Sequence, residues 1–156
     1  MPRLFAIVAC LAALACKKGP RYCDQDLSGL WVNAVDRRFA YRFQEDGGVV
    51  SGEYVVRADD GGVSAPPEPV TFELRRTHET VAGVMHGSGK TPGGRECPAD
   101  FETRITDCKP QTLQVLSEIS IAIGEDCKRL QATDGGSLPR HLREYVLQRP
   151  DSPLKQ

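Results

Sequence analysis

Phe39-Ala40-Tyr41-Arg42-Phe43-Gln44-Glu45-Asp46-Gly47-Gly48-Val49-Val50 decides the fold. Phe39, Tyr41 and Phe43 fall on one face, while Arg38, Ala40 and Arg42 fall on the other. That period of two marks a half-buried strand. Asp46-Gly47-Gly48 supplies turn residues, and 49–57 reads as the returning strand. Upstream, 27–33 is a first strand; downstream, the Gly-, Pro- and Asp-rich stretch 59–69 is a loop. Val70, Phe72 and Leu74 then alternate with Thr71, Glu73 and Arg75, and 80–86 follows closely enough to make a hairpin. Phe101, Thr103 and Ile105 alternate with Glu102, Arg104 and Thr106 ahead of a turn at Lys109-Pro110-Gln111. Leu113, Val115, Ile119 and Ile121 share a face, and 127–132 reads as a short eighth strand. Ser137 suits an N-cap and Pro139 a first helical turn, while Leu138, Leu142, Tyr145 and Val146 make one apolar stripe. A terminal helix is expected there, fraying from Asp151 onward.

About eight antiparallel strands, each with one apolar face, remove their edges by closing into an up-and-down barrel. A two-layer sandwich is the alternative. The first strand opens with Gly29-Leu30-Trp31, and the expected helix follows the last strand. These features resemble the Gly-x-Trp signature and architecture of the lipocalin and calycin superfamily. The resemblance implies a barrel with a carboxy-terminal helix outside it. It also implies that Trp31 closes the barrel base under a basic residue from near the last strand, for which Arg129 is the nearest candidate. A tryptophan at a strand start also serves simply as a large core residue.

The amino terminus has its own logic. Met1-Pro2-Arg3 is a short positive region, 4–15 carries no charge, and small Ala15 precedes Cys16. This is the pattern of an export signal. As a helix, roughly 12 apolar residues span about 18 Å, short of the roughly 30 Å hydrocarbon layer. Ala13-Leu14-Ala15-Cys16 resembles the lipobox of bacterial lipoproteins, which implies cleavage before Cys16 and acylation of its thiol. The match departs from the family pattern in having Ala13 where Leu is usual. Ile7-Val8-Ala9-Cys10 fits the motif more closely but leaves too short an apolar run before it. Acyl chains contribute about 0.8 kcal/mol per buried methylene, enough for a lasting bilayer anchor when several are present. An ordinary cleaved signal with a secreted product is the alternative. The expected layout is signal peptide at 1–15, lipidated N-terminus and linker at 16–26, barrel at 27–132, and helix and tail at 133–156.

On that reading Cys10 leaves with the signal and Cys16 is acylated, so Cys23, Cys97, Cys108 and Cys127 remain. An even number in an exported chain points to disulfides, and the wide spacings do not resemble zinc ligand pairs. Up-and-down parity assigns each strand end to one rim. Cys97 and Cys108 bracket the sixth strand and lie about 35 Å apart at roughly 3.3 Å per residue, too far to pair. Cys23 precedes the first strand and shares a rim with Cys108; Cys127, starting the eighth, shares the other with Cys97. Cys23–Cys108 and Cys97–Cys127 are the expected bridges.

The tempting chemical motif is Gly83-Val84-Met85-His86-Gly87-Ser88-Gly89-Lys90-Thr91, which ends like a phosphate-binding P-loop. It has Val84 where that motif needs glycine, and Pro92-Gly93-Gly94 follows instead of a helix. The three histidines, at 78, 86 and 141, form no metal or catalytic motif, so no catalytic or metal residue is nominated and no cofactor is implied. With Lys plus Arg at 20 against Asp plus Glu at 21, the balanced charge disfavours a nucleic-acid partner. Lys17, Lys18 and Arg21 would lie beside a lipid surface.

The expected function is a membrane-tethered extracytoplasmic binding module. Its barrel mouth, or its loops at 59–69 and 88–98, would hold a small apolar ligand or an envelope protein. Two alternatives stay open. One is an envelope-acting enzyme using carboxylates such as Asp59, Asp60 or Glu96. The other is a structural barrel filled by Phe39, Tyr41, Phe43, Tyr54, Phe72, Met85 and Phe101.

Overall fold

A computed structural model describes residues 23–78, 80–131 and 138–151. The signal at 1–15, Cys16, the linker to residue 22, Ser137 and the tail beyond 151 lie outside the described residues. The strands are β1 (Gly29–Asn33), β2 (Phe39–Asp46), β3 (Val49–Arg57), β4 (Val63–Ser64), β5 (Thr71–Arg76), β6 (Val81–Lys90), β7 (Glu96–Lys109), β8 (Thr112–Ser120) and β9 (His141–Gln148). Two-residue β4 pairs only on β3, inside the expected loop. The other eight form one closed antiparallel sheet in which chain neighbours are sheet neighbours and β9 returns to β1. This is an up-and-down barrel in which each of those eight strands is paired on both sides.

The expected terminal helix is overturned: Leu142, Tyr145 and Val146 lie in strand β9, which Leu138 precedes, and the barrel runs on to Gln148. Leu142, Tyr145 and Val146 fit a helical stripe, but Arg143, Tyr145 and Leu147 also alternate, and only a strand satisfies the facing backbone groups of β8 and β1. The expected eighth strand at 127–132 is likewise corrected. Its described part folds back on 121–124 through one bridge, Ile123 with Arg129. Nor is 88–98 a loop, because β6 runs to Lys90 and β7 starts at Glu96. The P-loop look-alike is therefore mostly strand β6.

The turn read from Asp46-Gly47-Gly48 is a two-residue hairpin loop, with Asp46 paired to Val49 and φ at +55° and +81° on the two glycines. A right-handed twist favours such primed turns, and they need positive φ at both central positions. At Gly52 the reason for glycine is packing: a Cβ there would stand 2.2 Å from the Phe43 ring lying across it.

Parity divides the barrel into a base, at the start of β1 and the end of β9, and a mouth, at the end of β1 and the start of β9. Large side chains fill the base, while at the mouth Cys97, Ala99 and Ile123 are buried on one side only. Leu27, Trp31, Val50, Leu74, Val81, Leu113 and Leu147 are almost wholly buried toward the base. Toward the mouth, Tyr41, Tyr54, Met85 and Tyr145 are half-buried, and Phe39 is 44% exposed.

The base is sealed by residues 23–28. Trp31 Nε1 donates to the Leu27 carbonyl at 2.8 Å, and the Arg149 guanidinium lies 3.9 Å over the indole. Arg149 also donates to the Ser28 and Asp26 carbonyls at 2.7 and 3.1 Å. The basic residue on Trp31 is thus Arg149 and not Arg129, which pairs with buried Glu118 near the other end. Arg76 donates to both Glu45 oxygens, at 2.6 and 2.7 Å, and to the Gln25 carbonyl, while Glu45 accepts from Leu27 N. The Arg76 hydrogen bonds hold the Glu45 carboxyl below its ordinary range, helped by Leu27 N and opposed by burial.

Both expected bridges are present. Cys23 joins Cys108 at the base with Cα atoms 5.1 Å apart, and Cys97 joins Cys127 at the mouth with 5.5 Å between them.

Candidate functional site at the barrel mouth

Strand alternation brings aromatic side chains from β2, β3, β5 and β9 together in the mouth half of the barrel. Tyr41 is at the centre: its ring lies 5.3 Å from Phe72 edge-on, 5.8 Å from Tyr54 and 6.1 Å from Tyr145. Phe39 stacks on Tyr54 at 5.9 Å, extending the cluster to the rim. Such pairs contribute about 0.5–1.5 kcal/mol beyond their burial, so the cluster is a stiff surface.

Polar groups enter this surface from beneath. Thr103 and Ser117, facing each other across β7 and β8, are buried and joined by their hydroxyls at 2.9 Å; Ser117 Oγ continues to Tyr145 Oη at 3.2 Å. The Tyr145 ring in turn stacks on that of Tyr41. Burial raises the Tyr41 phenol well above its usual range, with the Tyr145 and Tyr54 hydroxyls adding to it, and burial raises Tyr145 as well. Both therefore keep their protons near neutral pH and remain able to donate. Arg143 is opposite Ser117 in register and two residues from Tyr145, so it shares the inward face at the mouth, where it is exposed. Its positive charge acts on Tyr41.

No family model, curated protein or solved structure matches this chain. The chemistry of the mouth is therefore read from its own side chains. That chemistry consists of half-exposed aromatic faces, the protonated phenols of Tyr41, Tyr54 and Tyr145, and the Arg143 guanidinium.

The candidate carboxylates of the sequence are separated. Asp59 and Asp60 sit in the turn after β3, where Asp60 accepts from Gly62 N at 2.8 Å, whereas Glu96 starts β7 opposite Lys90. His86, expected to end a strand, lies within β6, its Nδ1 2.6 Å from Asp100 Oδ1 on the outer face, where both are well exposed. His78 is in the β5–β6 turn and His141 opens β9 instead of riding a helix.

Of the expected filling residues, Phe43, Phe72 and Phe101 are buried in the interior. Tyr41 and Tyr54 form the mouth surface, and Phe39 stands at its rim. Outside the barrel, a groove of about 710 Å³ runs beside Arg129, Leu130, Pro139 and Arg140. Its cations are already engaged, Arg140 with both oxygens of Glu102 and Arg129 with Glu118. Sequence reading missed Arg143 and Tyr145 as site residues, because assigning 138–146 to a helix hid the alternation Arg143, Tyr145, Leu147, and with it the partner of Ser117 across the β8–β9 pair.

Proposed function

We propose that this chain is a lipid-anchored, extracytoplasmic binding module, tethered through Cys16 and taking a compact aromatic or apolar acid at its barrel mouth. The single observation that carries the reading is the graded burial of one aromatic cluster, from buried Phe72 through half-buried Tyr41 to 44% exposed Phe39, with Tyr145 and Arg143 beside it. The filled base limits the ligand to the mouth half. The same closure supports kinship with the lipocalin and calycin barrels, since a basic residue lies over Trp31 beneath the Gly29-Leu30-Trp31 signature. Tethering is supported by the layout too, since Cys23, which follows the tether segment in sequence, is bonded at the base and not at the mouth.

The test is a fluorescence titration with 1-anilinonaphthalene-8-sulfonate, an aromatic acid. Saturable binding is expected, weakened at least tenfold by Arg143→Gln, consistent with about 1.5–3 kcal/mol for a hydrogen bond to a charged group. Phe39→Ala should weaken it several-fold. A dye that does not saturate, or that ignores both substitutions, contradicts the proposal.

A further inference from the structure

Between β8 and β9, residues 121–130 form a small flap across one side of the mouth. It is closed on itself by Leu130 N to Ala122 O at 2.8 Å, Gly124 N to Lys128 O at 2.8 Å and Cys127 N to Gly124 O at 3.0 Å. Its grip on the barrel is a small apolar cluster. Ile123 is its buried residue, at 3% exposure, against Cys97, Ala99 and Phe101, with Ile121, Cys127 and Met85 packed beside them. Small residues on the inner face of β6 and β7 make room for it: a Cβ on Gly89 would stand 2.3 Å from Ile123 Cδ1 and 3.5 Å from the Ala99 Cβ. Met85 also packs against the main barrel cluster, so the Ile123 side chain abuts the mouth interior. Beyond Ile123, the flap is held by Glu125 accepting from Gly93 N, by Arg129 on Glu118, and by the Cys127–Cys97 bond at its tip.

We infer that the Cys97–Cys127 disulfide is a redox latch: oxidised, it keeps Ile123 in the mouth as a tethered plug; reduced, it frees the flap and widens the mouth. The widening of a ligand site rests on the proposed mouth reading; the latch does not. The chemistry is thiol–disulfide exchange with a dithiol protein. The attacking thiolate bonds to Cys127 Sγ, the more exposed sulfur, and the electron pair leaves on Cys97 Sγ, which takes a proton. The second thiolate of the donor then displaces Cys127, so the donor departs as a disulfide and two thiols remain on the barrel. Cys127 sits at the tip of the flap with φ of +62°, a left-handed conformation that non-glycine residues rarely adopt. Cys23 shares the left-handed conformation, with φ of +57°, so the difference between the two bonds is one of place: Cys23–Cys108 joins the end of β7 to the segment that seals the base and holds no flap at the mouth.

The test compares wild-type protein with Cys97→Ser/Cys127→Ser by hydrogen exchange and by the rate at which peroxide oxidises Met85. Cys97→Ala/Cys127→Ala replaces the double variant if that variant fails to fold. Removing the latch should speed exchange at Gly124, Cys127 and Leu130 at least tenfold, leave β1 and β2 amides unchanged, and raise the Met85 oxidation rate several-fold. Ile123→Ala with the disulfide intact should also raise Met85 oxidation. Unchanged flap exchange, unchanged Met85 oxidation, or loss of protection throughout the barrel overturns the latch. Anilinonaphthalene sulfonate binding is measured separately: its absence in both states counts against the mouth site and leaves the latch result standing.

Discussion

Trp31→Ala is expected to lower the free energy of unfolding by about 3–5 kcal/mol, the usual result of emptying a wholly buried aromatic site. Trp31 shows no exposed surface, and its loss removes three things together. The interior loses its largest side chain next to Leu27 and Leu147, the Leu27 carbonyl loses its indole donor, and Arg149 loses the ring on which it lies. Trp31→Phe keeps most of the apolar volume and should cost less, since a single hydrogen bond contributes about 0.5–1.5 kcal/mol net. Arg149→Met should fall between the two. Denaturant unfolding followed by circular dichroism measures all three, because Trp31 is the sole tryptophan and its variants have no indole fluorescence. A loss below about 1 kcal/mol for Trp31→Ala would mean that the base is closed by other contacts.

The second large effect is expected from Cys23→Ser/Cys108→Ser. These cysteines are 85 residues apart in sequence. Loop closure of that length restricts the unfolded chain by about 4–5 kcal/mol in the entropic account, whereas the separation of 30 for Cys97–Cys127 corresponds to about 3–4. The base bridge also ties the sealing segment, so Gln25 and Leu27 should lose their places against Lys109 and Glu45. Urea unfolding of the two double-serine variants should therefore rank the base bridge as the more stabilising. The reverse order would place the stability of the barrel at its mouth.

Most of the barrel was legible because its strands bury one face each. Phe39, Tyr41 and Phe43 on β2, or Phe101, Thr103 and Ile105 on β7, show a period of two that no helix produces. The bridges followed from rim parity, which depends on strand direction and not on strand boundaries. Cys127 therefore pairs as expected although it occupies the flap and not a strand.

Where the reading failed, local pattern and global closure disagreed. Residues 138–146 fit a helical stripe, and only the need to complete the ring between β8 and β1 selects a strand. The arm at 88–98 read as a loop because Gly89, Gly93, Gly94 and Pro98 are loop formers. In the fold, Gly89 makes room for Ile123, and Pro98 lies where β7 pairs with β6 alone, so its missing N–H costs no ladder bond on the β8 side. Arg149 went unnoticed because it follows a strand that had been read as a helix.

Intact mass of the protein taken from its native membrane, beside a Cys16→Ala variant and with and without reduction, tests the tethered barrel most directly. The account predicts residues 16–156 plus acyl chains, a gain of about four hydrogens on reduction as two disulfides require, and loss of membrane retention in the variant. A soluble, unacylated product cut elsewhere would contradict the anchor.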